Sequence, residues 1–206
     1  MGDYQDYNWN NAELTDAHDC FMLPIINMLP TDGSPILDVG CGNGSFANYL
    51  ISKGYDVYGT DASLSGVTIA NKSNPGHFYI QDLSTDELPT ELKELKFKTI
   101  ISTEVIEHLY DPRKYIQFCK SILEKSSGGN FIISTPYHGY LKNLLLSVFN
   151  AWDKHHTVLW NGGHIKFWSY KTLKSLLEEG GFEIIAFKGC GRLPFVWKSM
   201  VINSKI

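Results

Sequence analysis

The chain has 206 residues, 43% of them hydrophobic, and a formal net charge of −4, which suits one domain with a full core. Its mild acidity comes without basic blocks, so a broad electrostatic footprint for nucleic acid is excluded, though a local basic groove is not. No apolar run approaches the ~18–20 residues that span a bilayer, and four scattered cysteines without a C-x-x-C pair (Cys20, Cys41, Cys119, Cys190) suit free thiols in a reducing cytoplasm.

In chain order, the opening M-G-D-Y-Q-D carries neither a signal-peptide pattern nor the Ser or Thr at position 6 that myristoylation needs. Residues 16–29 predict a helix interrupted or ended near Pro24. A buried strand follows at Ile36, Leu37 and Val39, then glycines at 40, 42 and 44, then an apolar-periodic helix beginning with Phe46, Ala47 and Leu50. Residues 56–60 read as a strand ending at Asp61, 64–72 as a helix, 77–83 as a strand, and 86–95 as an acidic loop or short helix. Residues 97–103 form a fourth strand, and Asp111-Pro112 is an N-cap with proline at the first helical position, opening a helix to about residue 124.

A fifth strand covers 129–135, after which the spacing breaks. Residues 139–163 contain one apolar helix (141–152), expected to pack Leu144, Leu145, Val148 and Phe149 onto the core, and a polar, aromatic loop (153–163). Ser169 caps an amphipathic helix with Leu173, Leu176 and Leu177 on one face, closed by Gly180 and Gly181, and strands are expected at 182–188 and 196–203. Strands alternating with helices predict an α/β fold whose mostly parallel sheet is covered on both faces. One domain, 1–206, is expected, with an N-terminal helical segment (1–30) and an insertion (138–166) that could form a lid.

Strand, glycine turn and helix together bring bare backbone against a ligand and aim free N–H groups at it. A dinucleotide fingerprint wants its third glycine three residues after the second, where Ser45 stands; the third glycine comes early, at Gly44. Asp38, just before the turn, would repel a pyrophosphate and attract an ammonium or sulfonium group. Asp61, 21 residues beyond Gly40, suits a ribose.

The pattern D-V-G-C-G-N-G resembles the first motif of class I S-adenosylmethionine (SAM)-dependent methyltransferases. E-V-I-E-H-L (104–109), S-T-P-Y (134–137) and L-L-E-E-G-G-F (176–182) resemble the ubiquinone-biosynthesis-type O-methyltransferases. The resemblance implies a Rossmann-like, doubly wound, seven-stranded sheet with a C-terminal antiparallel hairpin and the insertion after strand five. It also implies that SAM is held by Asp38, Gly40, Cys41, Gly42, Asn43 and Gly44 around the turn, by Asp61 and Ala62 at the ribose, by Asp82 and Leu83 at the adenine, and by Thr103 and Glu104 at the methionine end.

Glu104, Glu107 and His108 stand at i, i+3 and i+4, so a helical turn would put all three on one face. Two carboxylates and an imidazole suit a divalent metal, Mg²⁺, Mn²⁺, Zn²⁺ or Fe²⁺. In the ubiquinone-type enzymes this spacing goes with Mg²⁺, and the resemblance to small-RNA 2′-O-methyltransferases adds His164 as a further ligand. The plainer reading is a solvated turn, with His164 bonded to a loop carbonyl.

A hydroxyl acceptor needs its proton taken by a base or acidified by a metal; His108 and His138 are the candidate catalytic residues. His138, Tyr140, Trp152, His155, His156 and Trp160 form a histidine- and aromatic-rich insertion fit to cover an acceptor, while Tyr4, Tyr7 and Trp9 could close the other side. The expected protein is a cytoplasmic SAM-dependent methyltransferase acting on a small hydroxylated molecule, metal-assisted, with no favoured nucleic-acid partner, no membrane span and an oligomeric state that leaves no mark in the sequence. The alternatives are an RNA 2′-O-methyltransferase, a non-catalytic SAM-binding protein and an NAD-linked oxidoreductase, the last disfavoured by Asp38 and Ser45.

Overall fold

The computed structural model describes residues 6–15, 18–83, 87–156, 159, 162–191 and 193–206. Five strands lie parallel: β1 (Ile36–Val39), β2 (Val57–Asp61), β3 (Phe78–Ile80), β4 (Thr99–Thr103) and β5 (Asn130–Pro136). A hairpin of β6 (Glu183–Cys190) and β7 (Ser199–Lys205) completes the sheet, β7 running antiparallel to both β5 and β6. The order is β3-β2-β1-β4-β5-β7-β6. It reverses between β1 and β4, which opens a crevice beyond the carboxyl ends of these two strands.

Alternating side chains divide the core into two layers. Leu37, Ile100, Phe131, Ile133 and Ile202 point to the face covered by α4 (Pro112–Glu124) and α7 (Tyr170–Glu179). Ile36, Val57, Ile101, Ile132 and Val201 point to the other, covered by α1 (His18–Ile26), α2 (Ser45–Ser52) and α3 (Leu64–Ser73). Both faces being buried explains why the central strands read as continuous apolar runs. The Asp111 side chain accepts the Lys114 N–H at the start of α4 and Ser169 caps α7, as their positions in the sequence predict; Thr172 completes a reciprocal capping box.

Three local expectations change. The strand expected at 77–83 pairs only over Phe78–Ile80. The last strand starts at Ser199 rather than at 196, and the Trp197 ring before it lies over Gly189, 2.1 Å from where a Cβ would sit. The apolar helix expected at 141–152 is two helices, α5 (Tyr140–Val148) and α6 (Trp152–His156), broken at Asn150, whose φ of 50° no helix sustains. Its apolar face does not pack on the core: Leu144 and Leu145 are exposed, as are Val148 (67%) and Phe149 (73%), and the residue α5 buries is Lys142. No helix among the described residues is long and apolar enough to cross a membrane.

Candidate active site

The glycine turn is fastened to the neighbouring strand. The Gly40 and Cys41 N–H groups donate to the Thr60 carbonyl at 2.8 and 3.0 Å, and the Gly42 N–H donates to Asp61 Oδ2 at 2.8 Å. Gly40 has a φ of 79°, and a Cβ there would stand 2.3 Å from Val105 Cγ2, so only glycine brings the end of β1 this close to the β4 edge. Gly44, with a φ of 69°, works behind the turn: its Cβ would stand 2.4 Å from that of Ala70, so it seats α2 against α3.

Asp61 closes β2 with both carboxylate oxygens in use, Oδ2 on Gly42 and Oδ1 on the Ser63 N–H at 2.8 Å. Burial raises its pKa against the pull of those N–H donors. A carboxylate has about four lone-pair sites, so two remain for a ligand's hydroxyls. Asp38 is fully buried beneath the turn with Oδ1 unbonded, and burial together with the Asp61 charge pushes its pKa up to about 8.

After β4 the backbone turns sharply at Glu104, φ 55°, into a short 3-10 turn, Ile106–His108. The Glu104 carboxyl lies 2.9 Å from Ser134 Oγ and 2.8 Å from Ser199 Oγ, held from β5 and β7. Glu107 is 1% exposed: Thr135 donates to its Oε2 at 2.9 Å, while Oε1 accepts no hydrogen bond and stands 4.0 Å from His108 Nε2. Burial and the neighbouring Glu104 raise the Glu107 pKa well above the usual carboxylate range. The Ile165 and Lys166 N–H groups both donate to the Glu107 carbonyl, at 2.9 and 3.0 Å. They dock the end of the insertion here and bring the His164 ring to 4.9 Å from that of His108.

Glu107, His108 and His164 therefore form one group whose ligand atoms all lie within 4.8 Å of one another. Glu104, expected as a fourth member, is close enough to act on Glu107 but is not within this set, its carboxyl being bonded to Ser134 and Ser199. The three do not share the face of an α-helix as the spacing suggested, because the segment is a single 3-10 turn preceded by a left-handed residue. A second group, His138, His155 and His156, gathers nearby from the end of β5 and from α6. Burial holds the ring pKa values of His108, His138 and His164 down, His138 to about 3 and His164 to about 4.

A cleft of about 1100 Å³ joins these parts. Gly40, Cys41, Gly42, Asn43, Asp61 and Ala62 line one half with Asp82, Leu83, Thr103 and Glu104; His108, His138, His155, His156 and His164 line the other. Asp38, Gly44 and Glu107, expected in the site, do not line the cleft and act from behind it. Tyr7 and Trp9 cover the cleft: Trp9 N–H donates to Ser65 Oγ at 2.9 Å and Tyr7 Oη to the Gly162 carbonyl at 3.3 Å, spanning from α3 to the insertion. Asp6 anchors that stretch on the Ser63 and Ser65 hydroxyls. Tyr4, Trp160, Asp16 and Asp86 lie outside the described residues.

Sequence reasoning missed Ser199, which steadies Glu104, and Lys198, which lines the cleft; both come from β7 or the residue before it and carry no motif. Ser134 and Thr135 were visible only as part of S-T-P-Y. That they hold Glu104 and Glu107 follows from pairing β4 beside β5.

A family model for a methyltransferase domain matches residues 17–186. The chain belongs to that methyltransferase family. The ubiquinone biosynthesis O-methyltransferase of Ruegeria sp. is 30% identical over 176 residues, 82% of this chain and 68% of that one. The same-named protein of Cereibacter sphaeroides is 27% identical over 179 residues, with the same shares. Among solved structures, magnesium protoporphyrin IX methyltransferase from Synechocystis with bound S-adenosylhomocysteine superposes with a TM-score of 0.62 at 22% identity, over 89% of this chain and 78% of that one. A SAM-dependent methyltransferase from Mesorhizobium loti gives 0.68 at 18% identity, over 90% and 97%.

The protein is thus a SAM-dependent methyltransferase, and its residues fit that cofactor. The bare backbone of Gly40 and Gly42 lines the cleft, Asp61 keeps lone pairs for a diol, and Asp38 leaves its Oδ1 unbonded beneath the turn.

Proposed function

We propose that this methyltransferase moves the methyl group of SAM to an oxygen of a small hydroxylated molecule, with SAM in the glycine-turn half of the cleft and the acceptor against the histidines. The observation that carries this reading is the single cleft of about 1100 Å³. It exceeds the ~300–1000 Å³ of ordinary small-molecule pockets, so donor and acceptor fit side by side. The names of the relatives, O-methyltransferases of ubiquinone biosynthesis, agree with an oxygen acceptor.

Bound there, SAM supplies an electrophilic methyl group on a positively charged sulfur. The backbone of Gly40, Cys41, Gly42 and Asn43 holds its amino-acid end, Asp61 and Ala62 its ribose, Asp82 and Leu83 its adenine, and Thr103 and Glu104 border the methionine chain. On the acceptor side the chain's task is to align the hydroxyl, exclude water and take the proton. His108 is the base: burial keeps its imidazole neutral and so able to accept a proton. His138, pushed to about 3, is a poorer base and positions the acceptor. The insertion, 138–166, is the lid of a single domain, 1–206, and Tyr7 and Trp9 close the opposite side.

Glu107, His108 and His164 would also hold a divalent cation, and the unbonded Oε1 of Glu107 is the atom it would satisfy. Mixed oxygen and nitrogen donors suit Mg²⁺, Mn²⁺, Zn²⁺ or Fe²⁺. Such an ion would supply Lewis-acid activation of the acceptor hydroxyl in place of proton transfer to His108. Composition and free thiols favour a cytoplasmic enzyme.

The test is turnover. The protein, with SAM and a panel of catechols, hydroxylated aromatic acids and sugars, should release S-adenosylhomocysteine and a methyl ether, and chelator should slow it if the cation takes part. SAM binding by calorimetry without methyl transfer to any acceptor would replace the enzyme with a binding protein. Transfer to RNA 2′-hydroxyls alone would move the acceptor to another class.

A further inference from the structure

The second histidine group has no part in the cofactor half and is separate from Glu107, His108 and His164. We propose that His138, His155 and His156 form a binding site for a zinc-class divalent cation, with the remaining coordination position open to the cleft. His138 is buried at the end of β5 and fixed through its backbone: its N–H donates to the Trp168 carbonyl at 2.8 Å, and its own carbonyl accepts from Asn143 Nδ2 at 3.3 Å. His155 and His156 close α6, and each of the three rings offers a nitrogen within 4.8 Å of the other two. Tetrahedral zinc with Zn–N bonds of ~2.0–2.1 Å sets neighbouring nitrogens roughly 3.4 Å apart. Closing that difference takes ring rotation and a small shift of the short helix.

Three further observations point to a cation rather than to simple ring packing. His156 Nε2 is buried and makes no hydrogen bond, leaving a ring nitrogen without a partner. All three side chains line the cleft, so a ligand to the ion has a way in. Phe167 sets its ring edge-on to both His138 and His156, at 5.1 and 4.9 Å, and Trp152 stacks on His156 at 4.5 Å, so two aromatic rings border the group and hold the imidazoles in place. The Lys142 ammonium lies close enough to act on His138 and His156, and acts on the buried Glu104 carboxyl as well. Burial first, then Lys142, keeps His156 below its ordinary pKa, so the imidazoles are neutral and able to ligate. Three nitrogens with no carboxylate or thiolate select zinc or cobalt and reject magnesium.

Cobalt(II) provides the probe, since a tetrahedral site gives strong visible absorption. Chelator-stripped protein titrated with Co²⁺ should develop that band, Zn²⁺ should displace it, and Mg²⁺ should leave it unchanged. His155→Ala and His156→Ala, both at partly exposed positions, should each weaken Co²⁺ binding by about tenfold or more. His164→Ala should keep the band, and retained helical circular dichroism shows that each variant is folded. Absence of the band in the intact chain, or a band of undiminished strength in the double variant His155→Ala/His156→Ala, overturns the site. Equal loss in His164→Ala also overturns it, because one ion would then be shared with Glu107 and His108. None of these readings depends on methyl transfer, so failure of the site and failure of the proposed activity are distinguishable.

Discussion

At the glycine-turn half the work is done by backbone and by carboxylates at or just past strand ends; at the histidine wall it is done by side chains from the residues after β5, the turn after β4, α6 and the loop at 162–166. The first half is held by short-range bonds such as Gly42 N–H to Asp61 Oδ2 and Gly40 N–H to the Thr60 carbonyl. The second depends on an insertion docked at few points, chiefly Ile165 and Lys166 on the Glu107 carbonyl and His138 on the Trp168 carbonyl. On the proposed reading SAM meets the half held by backbone bonds, and the acceptor meets the half built from side chains of the insertion.

Single substitutions can break that division. His108→Ala has the largest expected effect, about 10²–10⁴ on turnover, with SAM affinity nearly unchanged by calorimetry. A matched loss of SAM affinity would mean that the two halves act as one site. Asp61→Ala should do the reverse, weakening SAM by ~1–3 kcal/mol through lost charge-assisted hydrogen bonds while turnover at saturating SAM holds. The Gly42 and Ser63 N–H groups lose their acceptor too, so Asp61→Asn is the control that keeps an oxygen in place.

Asp38→Asn sharpens the contrast further, since stability and binding should move in opposite directions. The Asp38 pKa of about 8 in the folded protein lies above its ordinary value of 3.8. Between these values the folded chain holds a proton that the unfolded chain has released, so stability falls as pH rises from about 4 to about 8. The variant lacks that loss. Its Tm advantage should be absent near pH 4 and reach several degrees by pH 8, at roughly 2–4 °C per kcal/mol for a chain of this size, while SAM binds severalfold more weakly. A Tm difference that does not change with pH would contradict the burial of an unpaired carboxyl.

The two halves were also unequally legible in the sequence. Gly40, Gly42, Asp61 and Asp82 could be placed because a strand followed by a glycine turn has few foldings, Asp61 closes a strand and Asp82 follows one. The caps of α4 and α7 were legible for the same local reason. Glu107 and His108 were visible as residues but not as geometry: their spacing suggests an α-helical face, whereas the left-handed Glu104 and a single 3-10 turn set Glu104 aside. The meeting of His138 with His155 and His156 is tertiary, set by where α6 lands after the break at Asn150. No local rule encodes it.

Helix α5 is where a local rule misleads, and the smallest predicted effect tests why. Leu144, Leu145, Val148 and Phe149 recur as a core-facing stripe should, yet all are exposed and Lys142 is the buried residue. A buried phenylalanine would lose ~3–5 kcal/mol on truncation. Phe149→Ser, at 73% exposure, should change unfolding stability by no more than about 0.5 kcal/mol in a denaturant titration, and Val148→Ser likewise. A loss of several kcal/mol would mean that this face is covered in solution and that α5 helps hold the fold. A near-zero change would leave it with the rest of the insertion, its apolar residues retained for something other than holding the fold together.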